Sequence, residues 1–164
     1  MFNLIVAVIS IALIAAMAAA SIFYGGEAFS QSTAQAQAST LVNNGQQISG
    51  AQQLHMIDNS GNRANAVATL ISGNYLQAIP TPPSSAVDTD DAWELADSGK
   101  LAYINLIDAN APVICASVGE QGGTTSGAVV SAAAPTAAEL IAANENAQFG
   151  CLNQGSDIIF VYKM

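Results

Sequence analysis

Positive charge is nearly missing from this chain: three Lys+Arg stand against twelve Asp+Glu in 164 residues, a formal net charge of −9. Phosphate binding needs a basic surface, so the composition excludes nucleic acid as a main partner, and with it a polybasic grip on anionic lipid. Charge of either sign is scarce, at 9% of residues against about a quarter in ordinary domains. One histidine and two cysteines, with no repeated ligand spacing, leave little for a metal centre. No Gly-rich phosphate loop follows a strand, no G-x-S-x-G occurs, and a single imidazole restricts Ser/His/Asp designs. The expectation is a protein without catalysis, cofactor or metal. Disorder is excluded as well, because 51% hydrophobic residues and a mean hydropathy of +0.37 are far above what low-hydrophobicity chains show.

What is present is hydrophobicity, in a chain sized for one compact domain, and most of it sits at the front. Met1 to Tyr24 (MFNLIVAVISIALIAAMAAASIFY) holds no charged side chain. As a helix it is roughly 36 Å long, enough to cross a hydrocarbon core of about 30 Å. The side chains expected to carry helix packing in an assembly are Phe2, Leu4, Ile5, Val6, Val8, Ile9, Ile11, Leu13, Ile14, Met17, Ile22 and Phe23. Phe23 and Tyr24 end the run as aromatic residues do at a membrane interface. A cleavable signal peptide is the rival reading, but its basic leader is missing: the first Lys or Arg is Arg63. The chain resembles one that starts inside its apolar segment after a basic leader has been removed.

Gly25-Gly26 follows as a weak point, at roughly 1 kcal/mol per glycine in a helix. From Glu27 to Asp58 the residues Ala34, Ala38, Leu41, Gly45, Ile48 and Ala51 recur at helical spacing. The other faces carry Gln, Ser, Thr and Asn, with no Asp, Glu, Lys or Arg between those two ends. An ordinary exposed helix carries charge pairs on its outer face. Their absence predicts a helix covered by a domain on one side and by other subunits on another. The competing reading is a Ser/Gln-rich linker broken at Asn43-Asn44-Gly45.

From about Asn59 the composition is that of a secreted globular domain. Ala64 to Ser72 predicts a short helix with Gly73 at C′, and Pro80-Thr-Pro-Pro83 cannot continue helix or enter a central strand. Trp93 to Leu95 and Lys100 to Ile107, separated by Asp97-Ser-Gly99, predict a hairpin. Pro112 to Gly119 fits either a strand or one or two helical turns. Gly122 to Pro135 is expected as a loop, and Thr136 to Glu145 as a helix opened by a Thr136/Glu139 capping box. Asp157 to Lys163 (DIIFVYK) is a strand by composition. Cys115 and Cys151 lie on the same side of the apolar segment, and in an oxidising compartment they would most simply pair, closing a loop worth roughly 4 kcal/mol. Two buried free thiols are the alternative.

Two further features carry possible chemistry. His55, between Leu54 and Met56, is a packing histidine or a pH switch. Asp88-Thr-Asp-Asp91 offers carboxylates that Ca²⁺ uses, but without the length and glycine pattern of an EF-hand loop it reads as a solvated acidic turn.

In order along the chain, these segments resemble the type IV pilins and their pseudopilin relatives. An uncharged N-terminal helix beginning at Met1-Phe2 continues as a polar helix to about position 57. Leu70-Ile-Ser-Gly-Asn-Tyr-Leu-Gln-Ala-Ile-Pro-Thr-Pro82 looks like the family's "L…YL…P…P" segment. The Trp93–Ile107 hairpin falls where the family's sheet begins. Phe149-Gly-Cys151 before a closing strand, with Cys115 upstream, looks like its disulfide-bounded C-terminal region. The charge balance and late disulfide are most similar to the type IVb subgroup, some of whose mature chains begin with Met.

The resemblance implies an α+β fold with a long N-terminal helical spine on a small antiparallel sheet. It divides the chain into a membrane and filament-core helix (1–24), its continuation (25–57) and a head (58–164). It further implies an inner-membrane subunit that polymerises with copies of itself into a surface filament, served by assembly machinery and a prepilin peptidase. Met1 then becomes the processed and methylated terminus, and Gly25-Gly26 the place where the helix melts. Family members usually carry a glutamate at the fifth mature position and a mid-helix proline. This chain has Ile5 and Val6 there and no proline before Pro80, so assembly is expected to rest on the apolar surface. The other functional classes are a monomeric periplasmic binding domain on a permanent anchor, and a minor pilin or type II secretion pseudopilin.

Overall fold

One helix, α1, runs from Phe2 to Asp58, and its backbone stays helical through Gly25 and Gly26. The computed structural model describes residues 2–88, 91–107, 109–125, 129–130, 135–136, 138–140, 147–154 and 157–164, with backbone alone at 2, 23–28 and 129–130. The chain divides into two compact units, Met1–Thr33 and Ala34–Met164. In the first, every described side chain of α1 is exposed.

In the second unit, α1 is amphipathic. Ala34, Ala38, Leu41, Gly45, Ile48 and Ala51 are all buried, as their spacing requires. The linker reading therefore falls, and so does the break at Asn43-Asn44-Gly45. Asn44 is buried and its Nδ2 donates to the Thr81 carbonyl at 3.0 Å, holding the proline-rich segment. Gly45 is where α1 meets the sheet: a Cβ there would lie 2.5 Å from the Tyr162 ring.

Beyond α1 come α2 (Val67–Ser72), β1 (Glu94–Ala96), β2 (Leu101–Leu106), α3 (Ala111–Glu120), β3 (Val129–Val130), β4 (Phe149–Gln154) and β5 (Asp157–Lys163). The sheet order is β1-β2-β5-β4-β3, with the first four strands antiparallel and β3 parallel to β4. The predicted hairpin is β1–β2, closed through Asp97, Ser98 and Gly99, all at positive φ. Because side chains alternate across a strand, Ala102, Ile104, Phe160 and Tyr162 join the core with α1, α2 and α3. Leu101, Tyr103, Ile159 and Val161 form a second core on the other face with Leu152 and Leu140. Burial on both faces explains why Asp157–Lys163 is a nearly continuous apolar run rather than an alternating one.

Three local expectations are refined. Pro112 to Gly119 is helix, inside α3, because Pro112 sits in the first turn where its missing N–H costs nothing. The expected 122–135 loop contains β3, and Thr124 bridges Gly150 on β4. After α2, Asn74 takes the left-handed conformation (φ 59°), not Gly73 (φ −82°). Glycine at 73 leaves room for the Tyr75 ring, which a Cβ would approach to 2.5 Å. The capping box forms as expected: Thr136 N–H donates to Glu139 at 2.8 Å, and Glu139 N–H to Thr136 Oγ1 at 3.4 Å. Residues 138–140 are helical, and 137 and 141–145 of that predicted helix lie outside the described residues. Cys115 on α3 and Cys151 on β4 form a disulfide, both nearly inaccessible, so the free-thiol alternative falls.

Candidate functional site

Two surfaces hold the residues singled out from the sequence. The first is the apolar segment of α1. Asn3–Ile22 has a mean hydropathy of 2.6 and none of it is buried within the chain. Leu4, Ile5, Val6, Val8, Ile9, Ile11, Leu13, Ile14, Met17 and Ile22 are each 54–76% exposed. Apolar side chains therefore point in all directions, as on a helix surrounded by lipid or by other helices. Its two hydroxyls are satisfied without water: Ser10 Oγ donates to the Val6 carbonyl (2.8 Å) and Ser21 Oγ to the Met17 carbonyl (2.9 Å). A dry environment thus leaves no hydroxyl proton unpaired. The side chains of Phe2 and Phe23, and Met1 as a whole, lie outside the described residues; of Gly25 and Gly26 only the helical backbone is described.

The second surface is the head. Gln52 is fully buried at the junction of α1, the 62–66 segment and the hairpin. Its Nε2 donates to the carbonyls of Ala64 (3.1 Å) and Gly99 (3.0 Å), and its Oε1 accepts from Ala64 N–H at 3.3 Å. All the amide's hydrogens and one lone pair are used. Gly99, at φ 77°, admits this contact, since a Cβ would lie 2.2 Å from the Ala64 oxygen. Arg63 Nη1 adds bonds to the carbonyls of Gly99 and Met164, each at 3.3 Å. The sequence held a signal for this clamp, because Gln52 continues the buried spacing of Leu41, Gly45 and Ile48 as a polar residue at a core position.

His55 is 8% exposed, with Nδ1 3.2 Å from the Asn62 carbonyl and its ring edge-on to Tyr75 at 5.2 Å. That is the packing role. Asp88 and Asp91 line a depression of about 430 Å³ with Asn105, Ala109 and Asp157, and Asp91 accepts from Asn105 Nδ2 at 3.2 Å. Thr89 and Asp90 lie outside the described residues. Among the described residues, no group of three or more His, Cys, Asp or Glu is placed to hold a metal ion. A second depression of about 430 Å³ runs beside β1 and α2, lined by Val67, Ile79, Trp93 and Leu95 among others. On β2, Tyr103 donates its hydroxyl to Glu94 of β1. Burial, and then the Glu94 carboxylate, push the Tyr103 phenol up to about 12.

The arrangement concentrates unsatisfied apolar surface on α1 and satisfied polar contacts in the head. An apolar helix together with a disulfide fits a membrane-bound, extracytoplasmic setting. A long apolar N-terminal helix, an antiparallel sheet and a disulfide at the C-terminal strands together form a pilin-like architecture. Compared with protein-family models, curated proteins and solved structures, the chain matches none.

Proposed function

We propose that this protein is a structural subunit of a type IV pilus-like surface filament. The observation that carries the reading is Asn3–Ile22: twenty residues of helix, apolar on every side and uncovered by the rest of the chain. Such a surface requires burial, at roughly 25 cal/mol per Å² left in water. Lipid supplies it while the subunit waits in the inner membrane, and copies of the same helix supply it in the filament core. The role is mechanical, without catalytic step, cofactor or metal. The partners are copies of the chain, an assembly machinery and a prepilin peptidase, with Gly25-Gly26 as the place where the helix loosens during packing.

The test is electron microscopy of sheared surface material, with mass spectrometry of its main band. Filaments built chiefly of this chain support the reading. If the protein is abundant in membranes and no growth condition yields filaments containing it, the reading gives way to a head domain on a permanent anchor.

A further inference from the structure

The chain has one tryptophan, Trp93. It is 2% exposed, and its indole N–H finds no acceptor among the described residues. A buried tryptophan ordinarily gives that proton to a partner, because a buried donor left unpaired is costly. The ring beside it, Phe160, stands at 87° with centroids 6.0 Å apart and offers no oxygen or nitrogen. Packing within the chain explains an aromatic ring at this position but not its proton.

Trp93 also lines the depression of about 430 Å³ between β1 and the start of α2, a size typical of ligand pockets. Val67, Ala68, Ile79 and Leu95 make its walls apolar, and Glu94 is the one ionisable side chain among its described lining residues. Ile79 is left 41% exposed there. Trp93 and Leu95 point to the same face of the strand, since side chains alternate, and that face is the one that packs on Val67 of α2. The depression therefore opens where this core reaches the rim of the sheet.

That rim is unpaired. β1 is the outermost strand and bonds on one side only, to β2. Just ahead of it, Ala92 and Trp93 make no backbone hydrogen bond to any described residue. An edge of this kind is a template for another strand. A strand laid along it would turn every second side chain toward the face of Trp93 and Leu95, over the depression.

We propose that the outer edge of β1 and the depression beside it bind an extended peptide segment of another protein, with an apolar side chain seated over Val67 and Ile79 and an oxygen accepting from Trp93 Nε1. Charge narrows the occupant. On a chain of net charge −9, with Glu94 at the rim, a neutral or basic segment is drawn in and an acidic one repelled. A second copy carries the same excess of carboxylates and is disfavoured for that reason. A sugar would need an open aromatic face to lie on, and the Trp93 ring is covered. With only three residues in β1, the contact is small and transient.

The experiment uses the full-length chain in lipid nanodiscs and a capped peptide of alternating valine and threonine with lysine at each end. The indole N–H is followed by proton NMR as a single signal, there being one tryptophan. The expected result is a saturable downfield shift of that signal, with slowed amide exchange at Ala92–Leu95. A peptide with proline at every second position, which cannot pair along an edge, is expected to bind roughly tenfold more weakly. The same loss is expected when glutamate replaces the terminal lysines, and when Ile79→Lys alters the wall with the melting temperature unchanged. Ala68→Lys, also at an exposed lining position, serves if Ile79→Lys does not fold.

An indole signal that the peptide does not move, equal binding by the proline peptide, or full binding by both lysine variants would overturn the proposal. An equal shift from a long-chain methyl ketone would make the depression a small-molecule site and overturn it too. A signal that moves with protein concentration alone would seat a second copy there, with the same consequence. Filaments play no part in the readout, so this proposal and the filament reading stand or fall separately.

Discussion

Gly45 and Gly50 sit five residues apart on one helix and face opposite demands. Alanine at either position favours helix by up to about 1 kcal/mol. At Gly45 the added methyl lands 2.5 Å from the Tyr162 ring, inside the core between α1 and β5. Overpacking of that kind costs about 1–3 kcal/mol, so Gly45→Ala is expected to lower the melting temperature. At Gly50 there is open space, and Gly50→Ala is expected to raise it. Thermal melts of the two variants in the same detergent check the pair. If both shift upward, the helix–sheet contact is looser than the geometry requires. The stripe spacing already puts Gly45 on the buried face and Gly50 off it, and the Tyr162 ring supplies the clash that spacing alone does not show.

At the level of elements, legibility follows the range of the interactions involved. The α1 stripe, the capping box at Thr136 and the Asp97-Ser-Gly99 hairpin were readable because each is written in residues a few positions apart. β4 was not. Gly150, Asn153 and Gln154 dilute its strand pattern, and its conformation comes from pairing with β5 and from Thr124 lying over Gly150, where a Cβ would be 1.8 Å from Thr124 Oγ1. The Gln52 clamp was half legible: its position continues the α1 stripe, but its partners lie 12 and 47 positions away, beyond any local period.

The cross-strand pair of Glu94 and Tyr103 gives the hairpin a pH signature. Burial and the carboxylate both disfavour the phenolate, so the folded pKa of about 12 stands above the unfolded value of about 10. The folded state then holds more protons between those values. The pair's contribution is full below about pH 10 and is lost as pH rises through about 12. Ultraviolet titration is expected to show Tyr103 ionising near pH 12, beside the upward shifts that burial also gives Tyr75 and Tyr162. Glu94→Gln, by removing the carboxylate, should lower its midpoint without restoring the ordinary value, because burial is the larger cause. Ionisation near pH 10 in the parent would show that the pair is hydrated.

For the whole molecule, the question is which surface does the assembling. On the filament reading proposed above, Met1–Tyr24 brings no carboxylate to the contact between copies, the first acidic residue being Glu27. Without a buried carboxylate, helix packing has to come from shape. Ala15-Ala16, Ala18-Ala19-Ala20 and Ser21 supply small side chains between the bulky stretches Leu4–Ile14 and Ile22–Tyr24, and small residues let helix backbones approach closely. A carboxylate there meets two penalties: roughly 2.5–3.5 kcal/mol at the bilayer centre, and an unpaired buried charge once helices close around it. Ala16→Asp is therefore expected to abolish filaments. The head should be indifferent, because Ala16 belongs to the first compact unit and Cys115–Cys151 to the second. Counts of surface filaments in parent and variant strains, beside non-reducing gels of the full-length chain, decide it. Normal filaments from Ala16→Asp would mean that the small-residue zone is not packed in the core. Loss of the disulfide together with the filaments would mean that the substitution acts on folding, and the packing argument would fall with it.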